Sequence, residues 1–255
     1  MLRYTKSRVG APEGFFEAEA IGLDWLKVNG GPDVVKVFSF GKSSLEIERV
    51  IESNPTAESA YDFGAKLAVL HKAPVDNYGY SPSPNWYFGT LSDPIELPNA
   101  NTAAKQTVDY KTYLKDYRLL PVLEEGVRRM EFTKTDIELT LDALNRIDYS
   151  DPVLNIPPSR VHGDLWSGNL LWTKSSATLI DTSAHGGHPE EDLALLKLFG
   201  CPHYTQILAG YQSITPLAHG FDHRVNLHNL FPIAYHAIAF GGGYRRKYLS
   251  MLEGI

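Results

Sequence analysis

The sequence predicts an α+β fold of two unequal lobes, a small β-rich lobe over residues 1–50 and a large, mainly helical lobe over residues 51–255. Three observations predict it. Strand-like runs at 2–6, 34–40 and 44–48 bracket a single helical stretch in the first fifty residues. From residue 54 onward, apolar residues recur mostly three or four apart, the helical period. The exception is a pair of short apolar runs, Leu170-Leu171-Trp172 and Thr178-Leu179-Ile180, joined by the polar Lys174-Ser175-Ser176, which reads as a hairpin inside the helical part.

Taken in order, residues 2–6 alternate as a short strand, and Gly10 to Gly14 turn. Phe15, Ala18, Ile21, Gly22 and Trp25 then fall on one helical face, with Glu19 inside the helix. Residues 34–40 read as one buried strand, and Gly41-Lys42-Ser43 turns into the strand at 44–48. That turn is no phosphate-binding P-loop, because G-x-x-x-x-G-K-S needs Gly where Lys36 stands.

In the larger part, Asn54-Pro55 predicts a helix start with Asn as cap and Pro in the first turn. Ala60, Phe63, Leu67 and Leu70 form its apolar face, ending at His71, which reads as a core or cap histidine. Residues 73–108 are rich in Pro, Asn, Ser and Tyr and read as a long loop carrying Trp86, Phe88 and Gly89. A stretch of that length is commonly functional. Residues 109–126 are helical, with Tyr110, Tyr113, Leu114, Tyr117 and Leu120 on one face. Thr133 and Asp136 form a capping box that opens a helix to Arg146. After a Pro-rich approach at 147–160 come the central motif, a helix from Pro189 with Glu190, Glu191 and Asp192 in its first turn, and helices at 203–214 and 224–240 stopped by Gly241-Gly242-Gly243.

The chemistry is concentrated in Val161-His162-Gly163-Asp164-Leu165-Trp166-Ser167-Gly168-Asn169-Leu170-Leu171 and in Asp181 beyond the hairpin. Phosphoryl transfer from a Mg2+-bound nucleotide needs one carboxylate to take the proton of the attacking hydroxyl. It also needs an amide oxygen and a second carboxylate to hold metal between phosphates. Asp164, Asn169 and Asp181 supply these groups in the H-x-D-x-x-x-x-N pattern of a kinase catalytic loop. The hairpin would bring Asn169 at one strand's start close to Asp181 at the other's end. Lys6 and Glu19, on a strand and the following helix, have the spacing of a lysine–glutamate pair that steadies nucleotide phosphates.

His162-Gly163-Asp164-Leu165-Trp166-Ser167-Gly168-Asn169 resembles the signature of the fructosamine kinase (ketosamine-3-kinase) family, relatives of aminoglycoside and choline kinases. The similarity continues through Ile180-Asp181, Gly187-His188, Asp192-Leu193-Ala194 and Phe240-Gly241-Gly242-Gly243-Tyr244, and spans about residues 4–248. Tyr117-Arg118-Leu119-Leu120-Pro121 nearly matches a further family block. The resemblance implies a protein-kinase-like fold and a kinase that uses ATP and Mg2+ to phosphorylate a ketosamine sugar, with protein deglycation as its role. It implies that Asp164 is the base, that Asn169 and Asp181 hold metal, and that Lys6 and Glu19 face the phosphates. Residues 45–51 would be the last small-lobe strand and the hinge, meeting adenine at Glu48 and Val50. Trp166 would stack on the sugar, and the loop bearing His188 would lie over the substrate side. His162 and Asp192 would brace the catalytic loop.

The departures concern the phosphate clamp and one turn. Only five residues precede Lys6 and no G-x-G-x-x-G occurs, so either the start was placed too far downstream or the small lobe is N-terminally truncated. Thr182-Ser183 stands where the family has Pro-Ala, which frees a backbone N–H. Two alternatives follow: an aminoglycoside- or choline-type phosphotransferase on the same fold, and a catalytically weak kinase-like binding protein. His185-Gly186-Gly187-His188 is rejected as a zinc site for want of a second ligand pair at zinc spacing.

The net charge of −6 argues against a nucleic-acid-binding face. No apolar run approaches the ~18 residues of a membrane span. The single cysteine, Cys201, and the absence of a leader-like start fit a reducing cytoplasm. Oligomeric state is left open.

Overall fold

The computed structural model describes residues 2–101 and 107–255. The small lobe is a three-stranded antiparallel sheet in the order β1 (Arg3–Ser7), β4 (Ser44–Glu48), β3 (Val37–Gly41), backed by α1 (Phe15–Trp25). Phe16, Leu23, Leu45 and Ile47 form the core between sheet and helix. The central strand β4 alternates because only one face is covered: Leu45 and Ile47 are buried, whereas Ser44, Glu46 and Glu48 are half-exposed. Tyr4 and Phe40, opposite Ile47 and Leu45 on the two edge strands, remain exposed.

The stretch 34–40 is not one buried strand. Its first part forms β2 (Asp33–Val34), which pairs in parallel with β9 (Ala177–Leu179) of the catalytic hairpin. Val35 is buried, and β3 then leaves for the small-lobe sheet. The chain thus stitches the two sheets together, and residues 33–34 cross the lobe boundary expected at residue 50. A continuous apolar run reads the same whether a strand stays in one sheet or changes sheets.

In the larger part, α2 (Ala57–His71) starts two residues later than Asn54-Pro55 suggested. Thr56 is the cap: its Oγ1 accepts the Ser59 N–H at 3.1 Å, and Ser59 Oγ returns the bond to the Thr56 N–H at 3.0 Å. Of the stretch 73–108, the described residues 73–101 contain the two-stranded hairpin β5 (Tyr87–Phe88) and β6 (Ile95–Glu96). This insertion touches both lobes. Tyr87 Oη donates to Glu13 O at 2.8 Å, and Arg8 Nη1 donates to Leu91 O at 2.7 Å.

The helix expected at 109–126 is present as α3 (Tyr110–Thr112), a π-helical segment Tyr113–Leu119, and α4 (Leu120–Arg128). A π turn re-aims side chains and is frequent at functional sites. The Thr133–Asp136 capping box opens α5 (Lys134–Arg146) as expected. The remaining elements are β7 (Ser159–Val161), the antiparallel hairpin β8 (Leu170–Trp172) with β9, β10 (His185–Gly187), α6 (Glu190–Leu198), α7 (Tyr204–Ile214), α8 (Phe221–Phe240) and α9 (Tyr244–Glu253). The sequence reading missed α9, a short helix dominated by charge, and took β10 for a loop. In β10 the residues His185–Gly187 instead pair antiparallel with β7. Leu170 and Leu179, directly opposed in the hairpin, are fully buried. Each contributes roughly 1.5–3 kcal/mol through its removal from water.

Candidate active site

The loop between β7 and β8 is fixed from below. Asp192, in the first turn of α6, accepts the His162 N–H at 2.7 Å and the Gly163 N–H at 3.0 Å, and also bonds His71 Nε2 at 3.2 Å. His162 is fully buried. Its Nδ1 accepts the Asp164 N–H at 3.2 Å, so Nε2–H donates to Ile180 O at 2.8 Å. Burial holds this ring below the usual histidine range, hence neutral. His162 and Asp192 therefore brace the loop, as the resemblance implied, and His71, expected only as a core or cap histidine, holds Asp192 in place. Gly163 is required where it stands. Its φ is +81°, and a Cβ there would lie 2.2 Å from Ser183 O.

Above this base the three oxygen-bearing side chains converge. Asn169 Nδ2 donates to Asp164 O at 2.7 Å, to Asp164 Oδ2 at 3.1 Å and to Asp181 O at 3.2 Å. Asn169 Oδ1 bonds no donor among the described residues. Asp181 holds a left-handed backbone, φ 54°, which a short polar side chain tolerates better than most. Its Oδ1 lies 3.1 Å from Lys6 Nζ, and Lys6 Nζ meets both oxygens of Glu19 at 2.9 Å. Thr182 Oγ1 ties the turn after Asp181 to His162 O at 2.8 Å, a bond that Pro could not make.

The electrostatics follow from burial and from these contacts. Burial pushes the Asp164 carboxyl up to about 8, and Asp181 adds to the rise. The Asn169 hydrogen bond and the Arg118 charge oppose it. Burial also opposes the Lys6 charge, but Glu19 and Asp181 more than offset it and hold the ammonium above its ordinary value. The lysine is thus one cation shared between two acids.

Lys6, Glu19, Asp164, Trp166, Asn169 and Asp181 all line one cavity of about 570 Å³, closed on one side by residues 85–91 of the insertion. Trp166 is 41% exposed and stands at the rim. Gly168 makes room for it, because a Cβ there would lie 2.2 Å from the indole ring. Trp86, read in the sequence as one aromatic of a long loop, is buried in the cavity wall. Its Nε1 donates to Ser183 Oγ at 2.9 Å, and its ring lies 4.6 Å from that of His185. Behind that wall is Arg118, 4% exposed. Its guanidinium sits 3.6 Å over the Phe231 ring, near Trp86 and Phe88, and its Nη1 has no hydrogen-bond partner among the described residues. Sequence reasoning named Arg118 only as part of a motif. A lone arginine on a helix gives no sign of burial.

Three expected residues are not brought to this cavity. His188 is 1% exposed and lies in the core. Its Nε2 bonds Val153 O at 2.9 Å, its Nδ1 accepts the Glu190 N–H at 3.2 Å, and its ring stacks on His228 at 4.7 Å. Pairing of β10 with β7 turns this segment inward, so its expected place over the substrate is corrected. Glu48 and Val50 lie outside the cavity as well. The Glu48 N–H is spent on Lys36 O at 2.8 Å, and Val50 packs on the small-lobe core. His188, Glu190 and His228 do approach one another at metal-ligand distances. Their lone pairs are already engaged: His228 Nε2 bonds Glu190 Oε2 at 3.1 Å, and Arg224 binds both Glu190 oxygens at 2.6 and 2.8 Å. The cluster is an internal ion pair with its histidines, not an open cation site.

A small sheet lobe over a helical lobe that carries a hairpin flanked by Asn169 and Asp181 is the frame of the protein-kinase-like phosphotransferases. The streptomycin–ATP complex of APH(2″)-IIa shares this fold at a TM-score of 0.63 and 14% identity, covering 99% of this chain and 85% of that one. Within the class the match is specific: the fructosamine kinase family model covers residues 4–255, and the chain belongs to that family. A Thermobifida fusca protein assigned as a fructosamine-3-kinase superimposes with a TM-score of 0.86 at 35% identity, over 99% of this chain and 84% of that one. A probable ketoamine kinase of Synechocystis is 28% identical over 255 residues, 93% of this chain and 77% of that protein. No helix among the described residues is long and apolar enough to cross a membrane.

Proposed function

We propose that the protein is an ATP-dependent kinase that transfers the γ-phosphoryl group to a sugar hydroxyl of a ketosamine, the 3-hydroxyl by family resemblance. The observation that carries this reading is the contact chain Lys6–Asp181–Asn169–Asp164 inside one cavity. Asp164 is the base. Its carboxylate takes the proton of the acceptor hydroxyl while that oxygen bonds phosphorus and the bond to the departing ADP oxygen breaks. Lys6, held by Glu19, steadies the phosphates. Trp166 offers a face to the sugar ring. The donor set facing the phosphates is oxygen only, which suits Mg2+, a hard cation. Asn169 and Asp181 would hold it, and when bound it would draw negative charge from the phosphates.

An acceptor such as a polycationic aminoglycoside would want free carboxylates. Of the acids lining the cavity, Glu19 spends both oxygens on Lys6, and Asp164 and Asp181 are the ones that the transfer itself uses, which leaves none for a polycation. The test is ketosamine-dependent ADP release from ATP and Mg2+. Turnover by the wild-type protein that disappears in Asp164→Asn supports the reading. Equal inactivity of both proteins on fructosamines and ribulosamines refutes it.

A further inference from the structure

Beyond Asp164 the cavity continues into a half that phosphate chemistry does not use. Contact by contact, the line runs from Lys6 through Asp181 and Asn169 to Asp164, and then along rings. Trp166 lies 6.5 Å from Phe199, Phe199 lies 4.9 Å from His236, and His236 lies 5.2 Å from both Phe240 and Tyr244. All five rings line the cavity. They come from the catalytic loop, the end of α6, and the junction of α8 with α9, elements that share no sequence neighbourhood. Phe240 is 58% exposed and Phe199 37%. Contiguous exposed aromatic surface of this kind marks a binding site.

No lining residue of this half carries a formal charge, and Lys247 stands outside the lining but close enough to His236 to oppose its protonation. His236 Nδ1–H donates to Pro232 O at 2.7 Å, and burial keeps the ring on the neutral side. No carboxylate among the described lining residues belongs to this half. Asp164 fixes where the accepting hydroxyl must sit, so the rings lie on the side of the acceptor away from the phosphates. What a ketosamine carries there is the group on its amino nitrogen. Such a group gains from flat apolar faces, and the ammonium that joins it to the sugar gains from ring quadrupoles. An acidic group would lose its water and meet no cation among the lining residues of this half.

We propose that Phe199, His236, Phe240 and Tyr244 form the subsite for the amine portion of the acceptor and select ketosamines of apolar, above all aromatic, amines over those of small or acidic amines. This rests on the ketosamine kinase reading, and the test keeps the two apart. Fructosamines of phenethylamine, methylamine and aspartate are compared by kcat/KM at saturating Mg-ATP. The expected order places phenethylamine at least about tenfold above methylamine, mainly through KM, with aspartate lowest, as ring stacking of this kind allows. Phe240→Ala and the bulk-preserving Phe240→Leu should both pull the phenethylamine-to-methylamine ratio towards one. Phe240 is exposed, so neither change endangers folding, and melting curves check that. Turnover of all three substrates with equal kcat/KM, or a phenethylamine advantage that survives both substitutions, overturns the subsite while leaving the kinase reading intact. Absence of turnover on every fructosamine overturns both.

Discussion

Two clusters of acids, bases and amides sit side by side in this molecule, and they differ in what remains unspent. In the cleft, Lys6, Asp164, Asn169 and Asp181 touch one another yet keep carboxylate and amide oxygens facing a cavity. Behind it, His188, Glu190, His228 and Arg224 satisfy one another, and Glu190 and His188 are sealed from solvent. The residue types are similar. Buried polar groups stabilise a fold when every lone pair has a partner, and they do chemistry when some are left for a substrate. Site membership is read from the incomplete bonds, not from the presence of histidines and acids.

The sharpest way to break the comparison is to exchange the costs of the two clusters. Asp164→Asn should lower turnover by about 10²–10⁴-fold, the ordinary worth of a general base, without lowering the melting temperature. Substitution in the second cluster should do the reverse. Arg224→Met leaves Glu190 buried without its cation and should cost about 3–5 kcal/mol of stability by denaturant titration, with turnover of the folded fraction intact. If Arg224→Met instead abolishes turnover at unchanged stability, the division into working and structural clusters fails.

The two clusters should also answer differently to pH. Burial holds His188 down to about 4, against an unfolded value near 6.5. Between those values the unfolded chain binds a proton that the folded chain refuses. Stability should therefore fall as pH drops from about 6.5 to 4. His188→Gln should flatten part of that slope, while His162 and His185, also held down by burial, keep the rest. Asp164 titrates in the opposite sense. Its folded value of about 8 means that the free enzyme gains its base as pH rises, so kcat/KM should climb through that region. Residual turnover in Asp164→Asn should lack that rise. The smallest effect belongs to neither cluster. Arg3→Ala removes an exposed pair with Glu46 and should change stability by at most about 1 kcal/mol, a baseline for the larger changes.

The sequence by itself determined the elements whose cause is local. The Thr133–Asp136 box, the helix of Phe15–Trp25 and the hairpin around Lys174-Ser175-Ser176 are each set by residues within a few positions of one another, and they stand where the pattern put them; that hairpin returns Asp181 to Asn169 across twelve residues. Lys6 and Glu19 were legible because strand and helix are neighbours in the chain. Tertiary structure alone decided the rest. It split 34–40 between two sheets, turned His188 inward through the pairing of β10 with β7, buried Trp86 and Arg118 in the cleft wall, and gathered Phe199, His236 and Phe240 on the rim. The physical reason is common to all of these. A residue's period and neighbours fix which element it joins, but which face is covered, and by what, depends on segments tens to hundreds of residues away.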